Sequence, residues 1–172
     1  MEAISNIDKY CKLAQTLGAD NVKVITTKEV VFDGRTLLKC MFGCSSWEKG
    51  CTCPSREGFP KPWELEPLFR KYNKVLIIHS TDKSTAQKAA YAVEREAFLD
   101  GDALAFSTSD CALCEKCAGE MGLECRNVAI ARPAFHSIGV DVFTTARNLG
   151  LPIEPLRCEN DRQNWYSAVW LN

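Results

Sequence analysis

The sequence predicts an α/β fold: a single domain over residues 1–172 with a mixed β-sheet, flanking helices and two cysteine-rich loops. A chain of 172 residues suits one compact domain. The apolar run at 74–79 is typical of a buried strand, and residues 84–99 carry apolar side chains at helical spacing. Strand-like residues 103–106 follow. Because strand, helix and strand at this spacing form a βαβ unit, strands 74–79 and 102–107 are expected to run parallel.

The first half of the chain is predicted to contain two helices and two short strands. Residues 5–18 have helical periodicity, with Ser5 as the N-cap. Two short strands are expected on either side of Thr27–Glu29, closed by Asp33 and Gly34. Residues 40–60 lack periodicity and are predicted to be a loop. A helix should follow over Trp63–Tyr72, with Pro67 in or near its first turn.

The second half is predicted to continue the sheet and its helices. Ser84 and Gln87 have the spacing of a capping box at the start of the 84–99 helix. Residues 107–126 are expected to form a second cysteine-bearing loop. A helix around 138–149 and a last strand over 165–171 complete the domain. Strands next to the two cysteine loops are expected to bring those loops to one edge of the sheet.

Composition restricts the function and the compartment. The net charge is −1, and no basic stripe indicates a nucleic-acid partner. No apolar run approaches the length of a membrane span, and the N-terminus lacks a signal-peptide pattern, so a cytoplasmic protein is expected. Ten cysteines are many for such a protein. In a reducing compartment clustered cysteines favour metal binding or redox chemistry over structural disulfides.

The sharpest motif is the run Cys111-Ala-Leu-Cys114-Glu-Lys-Cys117. Three thiolates at this spacing can hold three corners of a cuboidal cluster, as in bacterial-type ferredoxins. In those proteins a fourth cysteine followed by proline comes from elsewhere. Here Cys125 is the next cysteine along the chain, and Cys53 is the only one followed by proline.

A second group consists of Cys40, Cys44, Cys51 and Cys53. Its gaps do not match a zinc ribbon, but it places four soft ligands on one segment. The eight cysteines supply two sets of four, so one or two [4Fe–4S] clusters are predicted, with two preferred and zinc as the alternative metal. The simplest pairing keeps each group together, and a crossed pairing exchanges Cys53 with Cys125.

The remaining candidates have both structural and functional interpretations. Cys11 is predicted to be a core residue, and Cys158 has no predicted role. His79 and His136 can ligate metal, but a structural role is preferred for each. Arg132 can donate hydrogen bonds toward a cluster or a ligand, or serve as a surface charge. Trp47 and Trp63 flank the first cysteine group and can shield it from water or simply belong to the core.

These residues resemble an uncharacterised family of predicted metal-binding proteins, found mainly in anaerobic bacteria and archaea, over about residues 15–171. The similarity is carried by LGADNVKVI, VVFDGRTLLKC, DCALCEKCAGEMGLECRN and ARPAFHSIGVDVFTTARNLGLP. The resemblance implies a metal-binding set of Cys40, Cys44, Cys53, Cys111, Cys114, Cys117 and Cys125. Family members usually have another residue at the position of Cys51, which implies that one cluster has an open coordination position.

Three functions remain open from the sequence. The first is an iron–sulfur protein that carries electrons between partner proteins, so a redox partner protein is expected. The second is a redox enzyme that uses a site-differentiated cluster on a small molecule. The third is a structural role, with clusters or zinc that only hold the loops. If Cys51 ligates iron, the first function is favoured, and if it is free, the second is. The sequence does not give the oligomeric state.

Overall fold

In the computed structural model, which describes residues 6–172, four strands form one sheet and five α-helices and three short 3₁₀ turns surround it. The strands are β1 (Asn21–Thr26), β2 (Lys74–Ser80), β3 (Phe106–Thr108) and β4 (Trp165–Leu171). The helices are α1 (Asn6–Thr16), α2 (Thr36–Gly43), α3 (Pro62–Phe69), α4 (Lys83–Leu99) and α5 (Val142–Asn148). The 3₁₀ turns span Thr27–Glu29, Ala118–Met121 and His136–Ile138. The predicted α/β class is confirmed.

The sheet has the order β1-β2-β4-β3, and every neighbouring pair is antiparallel. β2 and β3 run in the same direction, as the βαβ pattern predicts, but β4 lies between them. Val169 of β4 pairs with Leu76 on one side and with Ser107 on the other. The prediction of a mixed sheet is therefore wrong in this detail, because the last strand occupies the position that a βαβ unit leaves between its two strands.

The two faces of the sheet bury different kinds of side chain. On one face Leu76 and Ile78 pack against α1 and α4, whose buried residues are mostly alanines. On the other face Val75 and Ile77 pack into a cluster that contains Phe69 and the fully buried Trp170. This second face is covered by the short helices α3 and α5 and by the segment around His136–Ile138.

Several local predictions need correction. The strand expected after Thr27–Glu29 does not form, and Phe32 makes only an isolated bridge to Val140. The predicted loop over 40–60 begins inside a helix, because Cys40 belongs to α2. The carboxylate of Asp82 caps α4 by accepting from the Thr85 N–H at 2.7 Å, in place of the capping box predicted at Ser84. The predicted Ser5 cap lies outside the described residues.

Two further helix boundaries differ from the prediction. α3 begins with Pro62 at its first position, so Pro67 lies inside the helix, which ends at Phe69. The helix predicted around 138–149 is interrupted at Gly139, where the backbone φ is 99°. A Cβ at this position would stand 2.7 Å from the Cβ of Pro62, so glycine lets α3 approach the chain closely. α5 starts only at Val142, where Asp141 caps it through the Thr144 N–H.

Candidate metal centre

The first two cysteines of the site are positioned by α2. Cys40 is buried in the helix, and Cys44 is its exposed C-cap residue, whose N–H donates to the Cys40 carbonyl at 3.3 Å. Residues four apart lie on the same face of a helix. One helical turn therefore directs both thiols to the same side.

Beyond α2 the chain continues as tight turns that carry Cys51 and Cys53. Glu48 adopts a left-handed backbone conformation with φ 65°, and its N–H donates to Ser55 Oγ at 3.1 Å. The same Ser55 hydroxyl donates to Cys53 Sγ at 3.0 Å. One serine hydroxyl thus closes the turn and contacts the sulfur of Cys53.

The second cysteine segment leaves the sheet at the end of β3. Its first residues are fixed by two hydrogen bonds that backbone N–H groups donate. Ser109 N–H donates to the Pro133 carbonyl and Ala112 N–H to the side-chain Oε1 of Gln87, each at 2.7 Å. Gln87 is a buried residue of α4. The start of this loop is thereby tied to the longest helix of the fold.

The two segments meet around one cavity of about 470 Å³. It lies at the end of the sheet where β2 and β3 finish and β4 begins, since Lys83, Asp110 and Trp165 line it. All eight cysteines predicted as ligands line the same cavity: Cys40, Cys44, Cys51, Cys53, Cys111, Cys114, Cys117 and Cys125. Segments that are far apart in sequence therefore contribute cysteines to the lining of a common space.

The backbones of the two segments touch at Gly119. A Cβ at this position would lie 2.7 Å from the Lys49 carbonyl oxygen and 3.0 Å from the Cys51 nitrogen. Any larger residue would push the segments apart. In this contact the Cys51 N–H donates to Cys117 Sγ at 3.4 Å, and the Cys51 thiol lies 3.7 Å from the Leu123 carbonyl oxygen.

The surroundings of Cys40 and Cys117 shift the pKa values of their thiols in opposite directions. Burial, together with the nearby Cys44, Cys53 and Asp110, raises the pKa of Cys40 to about 11. Burial also acts to raise the pKa of Cys117, but hydrogen bonds from the backbone N–H groups of Cys51 and Gly119 and from the Cys51 thiol lower it overall. The contact between the two segments at Gly119 therefore favours the thiolate form of Cys117.

Within residues 6–172, no three histidine, cysteine, aspartate or glutamate side chains stand in an arrangement that could hold a metal ion as it is. The thiols face a shared space without converging on one point. The donor set itself consists of soft sulfur ligands, which suit iron–sulfur clusters, zinc or Cu(I). The residues present therefore fit a thiolate-bound metal group by their chemistry.

Sequence reasoning missed several residues that line the site or bind its sulfurs. Asn127 is the most direct, because its side-chain amide donates to Cys114 Sγ at 3.1 Å and its backbone N–H donates to Cys125 Sγ at 3.4 Å. Lys49, Lys83 and Asp110 line the cavity. Asp110 directly precedes Cys111, and Asn127 follows Cys125 by two residues. Their closeness to cysteines in the sequence was the signal that could have indicated them.

Other candidates have different surroundings from those that the sequence suggested. Arg132 does not donate toward the cysteines: its guanidinium pairs with Glu94 of α4, with Nε–Oε2 and Nη2–Oε1 distances of 2.9 and 2.5 Å. His79 is buried, with its ring nitrogens 3.0 Å from Asn21 Nδ2 and 2.8 Å from Asn164 Oδ1, which supports its structural role. His136, in contrast, lines the cavity.

The two tryptophans lie in different surroundings, and so do the two isolated cysteines. Trp47 lines the cysteine cavity, whereas Trp63 is 62% exposed and belongs to neither the cavity nor the core. Cys11 belongs to α1 and packs, partly buried, against the core cluster between α1, α4 and the sheet. Cys158 is exposed, with its sulfur 3.3 Å from an Asp161 carboxylate oxygen. Neither isolated cysteine reaches the site.

The fold and the thiol-lined cavity together define a cysteine-rich α/β protein built to bind metal. The family described as Predicted metal-binding protein (DUF2284) matches residues 23–171, so the chain belongs to this family. No curated protein and no solved structure matches the chain. No helix in residues 6–172 is long and apolar enough to cross a membrane.

Proposed function

We propose that this metal-binding protein holds two [4Fe–4S] clusters and transfers electrons to or from a partner protein. The observation that carries the proposal is the single cavity lined by all eight cysteines of the two groups. Four thiolates are the usual ligand set of one such cluster, and eight suffice for two. When bound, such clusters supply reversible one-electron chemistry.

The size of the cavity supports a group larger than a single ion. A tetrahedral zinc ion keeps its four sulfurs about 3.8 Å from one another, since each Zn–S bond is about 2.3 Å. Here eight thiols are distributed around about 470 Å³. A cuboidal cluster has its metal ions at its corners, so its protein ligands stand farther apart than those of a single ion.

The surroundings of the thiols suit an electron carrier. Cys44 and Cys114 are exposed, so bound groups would lie close to the surface that a partner reaches. Large apolar side chains are exposed at both cysteine segments, with Phe42 82% exposed on the first and Val128 76% exposed just after the second. Exposed apolar surface near a redox centre is typical of a docking site for another protein.

The test is anaerobic purification followed by iron, sulfide and zinc counting. About eight irons and eight sulfides per chain are expected, with broad absorption near 400 nm from sulfur-to-iron charge transfer. Reduction should give an electron paramagnetic resonance signal that reoxidation removes. A colourless protein with stoichiometric zinc and no sulfide would contradict the proposal, and clusters that cannot be reduced reversibly would contradict electron transfer.

A second cavity favours a redox enzyme as the second candidate. It measures about 1020 Å³ and is lined largely by apolar side chains such as Leu38, Phe42 and Ile153. Cys40 and Cys44 line both cavities, so a small molecule bound here would lie against the first cysteine group. An enzyme of this kind would need a cluster with an open coordination position.

Cyanide distinguishes the two candidates, because it binds an iron only where a coordination position is open. Added to the reduced protein, it should leave the resonance signals of fully thiolate-bound clusters unchanged. A shift in one signal, abolished by filling the second cavity through Leu38→Trp, would favour the enzyme. Leu104→Trp, at an exposed position that lines neither cavity, is the matched control.

A further inference from the structure

If the cavity binds metal as proposed, its eight cysteines must divide into ligand sets. The sequence leaves two pairings open, and both leave Cys51 with Cys40 and Cys44. The structure brings Cys51 into contact with the other segment. Its N–H donates to Cys117 Sγ at 3.4 Å, and its thiol lies 3.7 Å from the Leu123 carbonyl oxygen.

The backbone contact at Gly119 fixes Cys51 in this position. The space where a Cβ would stand is already occupied by the Lys49 carbonyl at 2.7 Å and the Cys51 nitrogen at 3.0 Å. Cys51 is therefore held by main-chain packing as well as by its own hydrogen bonds.

Asn127 joins two further thiols to the same group. Its amide donates to Cys114 Sγ at 3.1 Å, while its backbone N–H donates to Cys125 Sγ at 3.4 Å. One residue thus links the sulfurs of Cys114 and Cys125. Together with the Cys51–Cys117 contact, these bonds link four thiols in two pairs, and only two residues separate Cys114 of one pair from Cys117 of the other.

The other four cysteines that line the cavity, Cys40, Cys44, Cys53 and Cys111, take no part in these hydrogen bonds. Cys40 and Cys44 share a helical face of α2. Asp110 lines both cavities together with Cys40 and Cys44. Since Cys111 directly follows Asp110, its thiol is the one from the second segment that is nearest in sequence to this group.

We infer that each metal group is bound by both segments, in two interlocked sets of four thiols. One set is Cys51, Cys114, Cys117 and Cys125, and the other is Cys40, Cys44, Cys53 and Cys111. The first segment thus gives three ligands to one set and one to the other, and so does the second. Both sets are complete, which leaves no position open at either group.

The test starts from double variants that each remove one ligand set. A third substitution is then added, and the remaining metal and resonance signal show which set the substituted cysteine belongs to. Cys40→Ala/Cys44→Ala should keep half of the metal and one resonance signal, and Cys114→Ala/Cys117→Ala should keep the other half. Adding Cys51→Ala to the second variant should leave its remaining metal unchanged. Adding Cys51→Ala to Cys40→Ala/Cys44→Ala should instead remove or alter the remaining metal group. Cys111→Ala should do the reverse: it should leave the metal of Cys40→Ala/Cys44→Ala unchanged and remove or alter that of Cys114→Ala/Cys117→Ala.

Loss of the remaining metal when Cys51→Ala is added to Cys114→Ala/Cys117→Ala would overturn the inference. Cys158→Ala is the matched control and should change neither metal content nor signal. If a double variant fails to fold by circular dichroism, the single variant Cys51→Ser gives a second measurement. The signal that it shifts must be the one that Cys117→Ser shifts, and a shift in the signal that Cys40→Ser shifts would contradict the sets.

The inference and the proposed function fail in different ways. If the wild-type protein carries zinc and no sulfide, the iron–sulfur function is wrong, but zinc counting on the same variants still tests the sets. If iron and sulfide are present and Cys51 groups with Cys40, the sets are wrong and the function stands. A purified protein without stoichiometric metal would contradict both.

Discussion

The two faces of the sheet are covered in different ways, and the difference separates stability from function. One face packs against α1 and α4, of 11 and 17 residues, and small side chains such as Ala89 and Ala90 let α4 lie close to the strands. The other face packs aromatic side chains against helices of seven or eight residues. Short helices leave long irregular connections, and these carry most of the cysteines of the site.

The two faces restrict the path of the chain to different degrees. A long helix fixes the position of every residue along it by periodicity. An irregular segment can turn a backbone N–H, a carbonyl or a thiol toward a chosen point, provided that something else fixes it. Here the fixing contacts are Gly119 against Cys51, and Ala112 against Gln87 of α4.

The largest expected effect comes from the aromatic face. Trp170 is fully buried, contacts the rings of Phe69 and Phe135, and donates to Thr108 Oγ1 at 3.2 Å. Trp170→Ala should lower the free energy of unfolding by about 3–5 kcal/mol. Because this side chain supports the face that carries the cysteine segments, the folded fraction should also bind less metal. Urea unfolding and metal counting on folded protein measure the two effects.

Leu76→Ala on the opposite face is the control. It is also fully buried, and its loss should cost about 2–5 kcal/mol. Metal content per folded chain should stay unchanged, because Leu76 packs against α1 and α4. Equal metal loss in both variants would show that the two faces do not differ in this respect.

The next largest effect is expected at the ion pair between α4 and the segment after Cys125. The Glu94 carboxylate accepts from Arg132 Nε at 2.9 Å and from the Ser107 N–H at 2.6 Å, and both charged side chains are largely buried. Glu94→Gln leaves the guanidinium without its counter-charge, and about 3 kcal/mol of stability should be lost. Thermal or urea unfolding provides the measurement.

Glu96→Gln is the matched control on the same helix. Glu96 pairs with Lys9 near the surface, so its loss should cost less than about 1 kcal/mol. If the two substitutions had the same effect, the Glu94–Arg132 pair would not be a structural link between α4 and the cysteine-bearing side.

The smallest expected effect concerns the hydrogen bonds to sulfur. Asn127→Ala removes the side-chain donor to Cys114 Sγ but keeps the backbone donor to Cys125 Sγ. Loss of such an outer contact typically weakens metal binding about 10–100-fold, with little change in the fold. Competition with a chelator measures the affinity. Asn148→Ala, at an exposed position of α5, should leave it unchanged, and an equal loss there would contradict a specific role for Asn127.

Local pattern was enough to predict much of the fold. The strand at 165–171 and the helix at 84–99 were predicted to within a residue, because continuous apolar runs and helical periodicity are properties of neighbouring residues. Pairing was harder to predict. β4 joins the sheet between β2 and β3 through hydrogen bonds to residues far away in the chain, which no local pattern records.

The same limit applies to the candidate site. Cysteine number and spacing indicated a soft metal site with eight candidate thiols, since ligand chemistry depends on residue type. Sequence distance could not show that Arg132 binds Glu94. Nor could it show that Cys51 contacts Cys117, because residues 66 positions apart meet only through the path of the folded backbone.

The sequence by itself determined the α/β class, the main elements and the thiol chemistry, because each depends on residue type and short-range periodicity. Only the tertiary structure decided the strand order, the shared cavity and the neighbours of each thiol. These depend on packing between distant segments, such as the close approach at Gly119, where the absence of a side chain lets two backbones touch.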